Sequence, residues 1–314
     1  MPAMPMSAVA MRLIVMAGIA MRRVARHSKQ AKGGRGTAED ETQQAKGKGH
    51  GALLQRPGAM RSRRRADWKR ARFRLAWPRT MRIAEHPSPN HDARKSAVDM
   101  LILHYTGMRD AAEALARLVL PAAKVSAHYL IDEDGALTRL VPEERRAWHA
   151  GVSLWRGRGD INSASIGIEL VNPGHEWGYR RFPTAQMEAL AELGHGILAR
   201  HKIPTRHVLA HSDVAIGRKE DPGELFDWAW LAGQGIGLWP DFARGQRRAG
   251  DLADLRRDLA RFGYACPPED AQEADMTEAI HAFQLHFRPE QCNGVADAET
   301  LHRAAILAAS CGGV

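Results

Sequence analysis

Cysteine is scarce in this chain of 314 residues: there are three, Cys266, Cys292 and Cys311, all towards the C-terminus. Their spacing makes no CxxC pair, which excludes a cysteine zinc ribbon and a thioredoxin-like redox motif. One disulfide between Cys266 and Cys292, or two free thiols, satisfies the sequence equally. Long apolar runs are also missing. No stretch approaches the roughly 18 residues of a membrane helix, so no transmembrane segment is expected. There is no internal repeat, which excludes a solenoid. The body of the chain also lacks the basic excess that the formal charge of +9 suggests. Residues 1–80 hold 19 Lys+Arg against 4 Asp+Glu, leaving 26 against 32 in the remainder. The basicity belongs to the head, and an isoelectric argument for nucleic acid fails for the rest.

That head carries a Gly/Lys-rich stretch from Ala31 to Gly51 and an arginine cluster from Arg61 to Arg74, neither with an apolar period. It is expected to be a disordered or non-native extension over residues 1–80. Met81 is an alternative start of translation. The run Leu13 to Met21 after Arg12 is a poor secretory signal, with Arg22-Arg23 where small residues belong. Deleting residues 1–80 and measuring salt-sensitive DNA retention would test a nucleic-acid role for the arginine cluster.

From about Ala97 the texture changes. Val98 to Tyr105 is an apolar run read as a buried strand, Ala111 to Leu120 a helix stopped at Pro121, and Ser126 to Ile131 a second strand. Asp132 to Gly135 turns the chain back into a strand from Ala136 to Val141. Ser165 to Val171 is another buried strand, and Thr184 to His201 an amphipathic helix with Thr184 as its N-cap. His207 to His211 is a last short strand. The fold class expected is α/β, a mixed central sheet flanked by helices and followed by a small three-helix domain. The domains expected are 81–235, a linker over 236–250, and helices over 251–310: Leu252 to Phe262, Met276 to Phe287 capped by Thr277, and Ala298 to Ala309.

Candidate chemistry sits at strand ends. His104 closes the first strand, His211 closes the last, and Asp221 lies ten residues further on, in a turn able to fold back. Two imidazoles and a carboxylate suit an open zinc shell, in which the metal lowers the pKa of a water at the fourth position towards about 7. Spacing alone makes this a weak signal, because the ligands are dispersed and the chain has 15 histidines.

Five segments occur together and in order: Leu101 to Thr106, Val125 to Ile131, Trp148 to Gly151, Asn162 to Glu169, and His211-Ser212-Asp213 through Arg218-Lys219-Glu220-Asp221-Pro222-Gly223. Over roughly Ile83 to Leu231 the chain resembles the type-2, zinc-dependent N-acetylmuramoyl-L-alanine amidase family. The resemblance implies a Zn2+ cofactor on His104, His211 and Asp221, Glu169 as general base, and Lys219 at the oxyanion. It also implies hydrolysis of the bond between N-acetylmuramic acid and L-alanine. His128, His149 and Asn162 lie in matching segments and are expected near the substrate, with core or turn roles as their alternatives. Trp155 and Arg158 are expected in a loop that flanks the site or is simply exposed. Ile216 and Asp227 replace prolines of the family pattern, a departure that touches loop stiffness rather than chemistry.

The segment from Asp251 to Leu307, with Leu255 to Tyr264, Ile280 to Pro289 and Gly294 to Asp297, resembles a three-helix peptidoglycan-binding domain. Such a module concentrates a tethered catalyst on a polymer; Phe283 and Phe287 are expected in its core. The partner expected is peptidoglycan or a muropeptide, with no specific nucleic acid and a monomeric chain. The location expected is the cell envelope or periplasm, with the cytoplasm as alternative. A cytosolic recycling amidase for anhydromuropeptides and a non-catalytic peptidoglycan recognition protein are the rival functions.

Overall fold

The structure is a computed structural model that describes residues 82–243, 250–268 and 273–311. The expectations for the basic head and for the later part of the linker lie outside the described residues. The described residues fall into one compact unit. The strands are β1 (Ile83–Glu85), β2 (His91–Ala93), β3 (Met100–Tyr105), β4 (Tyr129–Ile131), β5 (Leu137–Arg139), β6 (Arg145–Ala147), β7 (Ser165–Leu170) and β8 (Val208–Ala210). The helices are α1 (Ala111–Val119), α2 (Ile161–Ala164), α3 (Gly174–Trp177), α4 (Thr184–His201), α5 (His211–Val214), α6 (Trp228–Gly233), α7 (Leu252–Phe262), α8 (Glu273–Phe287) and α9 (Ala298–Ser310).

Leu101, Ile102 and Leu103 are completely buried, as are Ile166 and Ile168 beside them. A run apolar on both faces is what an interior parallel strand requires. The six-stranded sheet has the order β1-β5-β4-β7-β3-β8. All its pairs are parallel except the β4/β5 hairpin, so the sheet is mixed as expected. β2 and β6 form a separate antiparallel pair. Because β7, β3 and β8 run the same way, their C-terminal ends meet at one edge. That edge is where open α/β sheets present ligands and chemistry.

Local chemistry sets the helix ends. Asp110 caps α1 by accepting from the Glu113 amide at 2.8 Å, while Glu113 accepts from the Arg109 amide at 3.1 Å. The first bond satisfies an orphaned first-turn amide, and the second ties the residue ahead of the cap to the helix. Thr184 turns out to be the first residue of α4, whose cap position is Pro183 with no side-chain bond. A proline there fixes the entry without supplying an acceptor. Buried Gln186 does the anchoring, donating from Nε2 to the Ile131 and Val171 carbonyls at 3.0 Å each. Likewise α8 begins at Glu273, which puts Thr277 inside the helix rather than at its cap.

The C-terminal helices share a core with the sheet domain. Trp155, Met100, Ile102, Leu209 and Val214 cluster with Leu259, Phe262, Tyr264, Phe283 and Phe287. Trp155 is fully buried, its ring edge-on to Phe262 at 5.8 Å and to Tyr264 at 5.2 Å. The stretch expected as a linker is packed as far as it is described. Ile236 is completely buried, and Leu238, Trp239 and Phe242 lie against the same core. The three cysteines are free thiols.

Candidate metal centre

The sheet edge and two turns bring three of the expected residues together. His104 is carried by β3, His211 opens α5 directly after β8, and Asp221 comes from the turn beyond. The Asp221 carbonyl accepts from the Ser212 amide at 3.0 Å, which folds that turn back onto α5. His104 Nδ1, His211 Nδ1 and Asp221 Oδ2 form a triangle with every side 3.0 Å. All three residues are buried. Atoms bound tetrahedrally to zinc at about 2.0–2.1 Å stand roughly 3.3 Å apart, so the triangle is near the size of one face of such a site.

The surrounding hydrogen bonds fix which imidazole nitrogens carry protons. Ser165 has one hydroxyl proton, given to the Ile161 carbonyl at 2.6 Å, so its oxygen accepts from His149 Nε2 at 3.1 Å. His149 Nδ1 is then a lone pair and accepts from His104 Nε2 at 3.1 Å. That leaves His104 Nδ1 unprotonated, facing the triangle. His211 Nε2 meets the Ala150 carbonyl at 3.1 Å, and a neutral ring donating there presents its Nδ1 lone pair to the triangle. Burial, followed by neighbouring His211, lowers His104 to about 4. Burial and the adjacent imidazoles hold His149 well below its usual range, so both rings are neutral at pH 7. With the rings neutral, two imidazole lone pairs and a carboxylate oxygen point at one another. A cation resolves that repulsion, and the nitrogen and oxygen donors suit zinc.

Glu169 sits opposite His104 in the β3/β7 register, at the same edge. Its Oε2 is buried and has no hydrogen-bond partner in the protein. Burial, and after it Asp221, pushes its carboxyl well above the usual range, with Lys219 pulling the other way. Lys219 is itself exposed, and its charge reaches both Glu169 and His104. Arg218 clasps the site from outside, donating to the Val152 carbonyl at 3.1 Å and to the Ala150 carbonyl at 2.6 Å.

The three residues expected near substrate, with core or turn roles as alternatives, all have hydrogen-bond partners inside the protein. His128 is completely buried; its Nδ1 accepts from the Gly167 amide at 2.9 Å, and its Nε2 faces the Arg145 carbonyl at 3.1 Å. His149 lies behind His104, held by both ring nitrogens as above. Gly167 makes room for it: a Cβ there would come within 2.5 Å of the ring. Asn162 Oδ1 accepts from the His149 and Ala150 amides at 3.0 and 2.7 Å, so it pins the loop that carries His149. Trp155 is buried in the core, and Arg158 is paired with Asp99. Sequence reading missed Ser165 and Arg218. Both lie inside matching segments, but only the fold reveals their partners.

A family profile described as N-acetylmuramoyl-L-alanine amidase matches residues 94–224, and one for a peptidoglycan binding domain matches residues 248–303. The chain is 40% identical over 244 residues to the N-acetylmuramoyl-L-alanine amidase AmiD of Escherichia coli strain K12, covering 69% of this chain and 87% of that protein. It is 41% identical over 106 residues to the 1,6-anhydro-N-acetylmuramyl-L-alanine amidase AmpD of Citrobacter freundii, covering 34% of this chain and 54% of that protein. Two solved structures share the fold. One is Escherichia coli AmiD in complex with its substrate anhydro-N-acetylmuramic acid-L-Ala-D-gamma-Glu-L-Lys, with a TM-score of 0.61, 40% identity, and coverage of 70% of this chain and 92% of that one. The other is AmpDh3 from Pseudomonas aeruginosa, with a TM-score of 0.63, 36% identity, and coverage of 68% and 92%.

Proposed function

The chain belongs to the N-acetylmuramoyl-L-alanine amidase family, and from that premise we propose that His104, His211 and Asp221 hold a zinc ion beside which Glu169 and Lys219 do the proton and charge work. The reaction is hydrolysis of the amide between the lactyl carboxyl of N-acetylmuramic acid and the amino group of L-alanine, in peptidoglycan or its fragments. The observation that carries the metal assignment is the buried triangle of two imidazole nitrogens and one carboxylate oxygen, 3.0 Å on a side. When bound, zinc supplies a Lewis acid and brings a water closer to ionisation near neutral pH.

Glu169 accepts a proton from the attacking water as the water oxygen adds to the lactyl carbonyl carbon. The same carboxyl then gives that proton to the leaving nitrogen, the C–N bond breaks, and the carboxylic acid and amine formed exchange the remaining water proton to leave as carboxylate and ammonium. Partial burial of Glu169 keeps its basicity high enough for both halves of that transfer. The Lys219 ammonium, at the same face, stabilises the negative oxygen of the tetrahedral intermediate.

Metal analysis with kinetics tests these roles. His211→Ala is expected to lose zinc and activity together, and Glu169→Ala to keep zinc while losing nearly all turnover. An active Glu169→Ala enzyme would remove that residue from the role of base. The peptidoglycan-binding match at residues 248–303 favours polymeric wall as substrate and the cell envelope as location, with a monomeric chain acting there. The substrate bound by Escherichia coli AmiD is an anhydromuropeptide, which favours soluble fragments and leaves the cytoplasm as the alternative compartment. Rates on intact sacculi against soluble anhydromuropeptide, together with cell fractionation, separate the two.

A further inference from the structure

Asp213 stands two residues after His211 in α5 and is completely buried. A buried carboxylate must have its lone pairs met by protein donors. Only one donor is local: the Ala210 amide, to Oδ2 at 2.8 Å. The other two come from the C-terminal segment. The Tyr264 hydroxyl donates to Oδ1 at 2.6 Å, and His286 Nδ1 donates to Oδ2 at 2.7 Å. Neither donor is free to wander. The His286 ring lies face to face with Trp228 at 3.7 Å and with Phe287 at 3.8 Å. The Tyr264 ring meets Trp155 edge-on at 5.2 Å and Phe283 at 5.9 Å. Both side chains are buried, so neither is presented to a wall polymer.

We propose that Tyr264 and His286 are positioning residues of the metal centre, acting through Asp213. The inference rests on the reading of His211 as a ligand. The Asp213 carboxylate fixes the backbone at Ala210, where β8 turns into α5, and so sets the direction in which the His211 ring leaves the chain. The donors that hold the carboxylate belong to the segment that matches a wall-binding module. That segment is therefore a structural part of the catalytic centre, in addition to any hold on the polymer.

The test uses the full chain and reads zinc affinity by chelator competition, with turnover of a soluble muropeptide alongside. Tyr264→Phe removes one hydroxyl and keeps the ring packing. His286→Leu removes the Nδ1 donor, whereas His286→Asn replaces it with an amide N–H at a similar reach. Tyr264→Phe and His286→Leu are each expected to weaken zinc binding about 10- to 100-fold, the usual range for residues supporting a ligand. His286→Asn is expected to recover most of the loss, and binding to insoluble peptidoglycan to stay unchanged. Zinc affinity within about threefold of the parent in Tyr264→Phe and His286→Leu, below that range, overturns the proposal, even where thermal stability falls. If His286→Leu fails to fold, Tyr264→Phe decides alone. His211→Ala is the control: loss of zinc there, with Tyr264→Phe unaffected, sinks only this proposal. Retention of zinc by His211→Ala sinks the ligand reading itself.

Discussion

Replacing Ser165 by alanine, more than 5 Å along a bonded chain from the metal centre, is expected to weaken zinc binding without touching a ligand. The Ser165 oxygen is the acceptor that keeps the His149 proton on Nε2. Without it, that N–H is buried and unmet, which costs roughly 1–3 kcal/mol. His149 relieves the cost by moving its proton to Nδ1. It then donates to His104 Nε2 and drives the His104 proton onto Nδ1, the atom that faces the triangle. Metal binding must reverse that exchange. A penalty of about 1–3 kcal/mol corresponds to a loss of roughly 5- to 150-fold in affinity, overlapping the range seen for residues behind metal ligands. Chelator competition gives the affinity, and proton–nitrogen correlation NMR of the imidazoles gives the tautomer of His104. Unchanged affinity with His104 still protonated on Nε2 would refute the reasoning. Restoration by Ser165→Thr, which returns a hydroxyl, would strengthen it.

Further expectations follow from the same geometry. Gly167→Ala puts a methyl group within 2.5 Å of the His149 ring and is expected to lower both stability and zinc affinity, as seen by thermal melts with and without added metal. Trp155→Ala empties the shared core and is expected to cost about 3–5 kcal/mol in urea unfolding; a cost below about 1 kcal/mol, typical of a surface site, would contradict its burial. Burial works upward on Glu143, but hydrogen bonds from Arg200, Tyr129 and His201 outweigh it and hold its carboxyl at about 2. A depressed folded pKa means the stabilisation is complete above the unfolded value of about 4.3 and is lost as pH falls from there towards the folded value. After allowance for solvent screening it amounts to about 1–2 kcal/mol, so Glu143→Gln is expected to flatten the acid limb of a stability–pH curve by that much. An unchanged acid limb would count against the network.

The apolar run Leu101–Leu103 ending in His104 showed the interior strand and its edge from residue order alone, because an interior parallel strand leaves a continuous hydrophobic signature. The turn carrying Asp221 was legible through its spacing from His211. What could not be read were burial and direction. His149 and His128 look alike in sequence to site-lining histidines; their depth depends on Gly167, a residue in another strand whose missing side chain admits one ring and whose amide bonds the other. Asn162 resembles a loop residue open to ligand until the amides of His149 and Ala150 are seen to claim its oxygen. Thr184 fits a cap by composition, but Pro183 had already fixed the chain's entry. The stretch after Gly233 has the Gly/Pro texture of a spacer, and nothing local reveals that Leu238 and Trp239 find apolar partners far away in sequence.

The indole of Trp155, closed over by Phe262 and Tyr264, binds the fate of the two halves together. A protein hinged between an anchor and a catalyst melts in two steps and survives a protease cut at the hinge. With one interior spanning both, calorimetry should record a single transition, and trimming the last helices should yield an aggregating remnant rather than a smaller working hydrolase. Swapping the anchor for an unrelated one would then require re-facing the catalytic half as well.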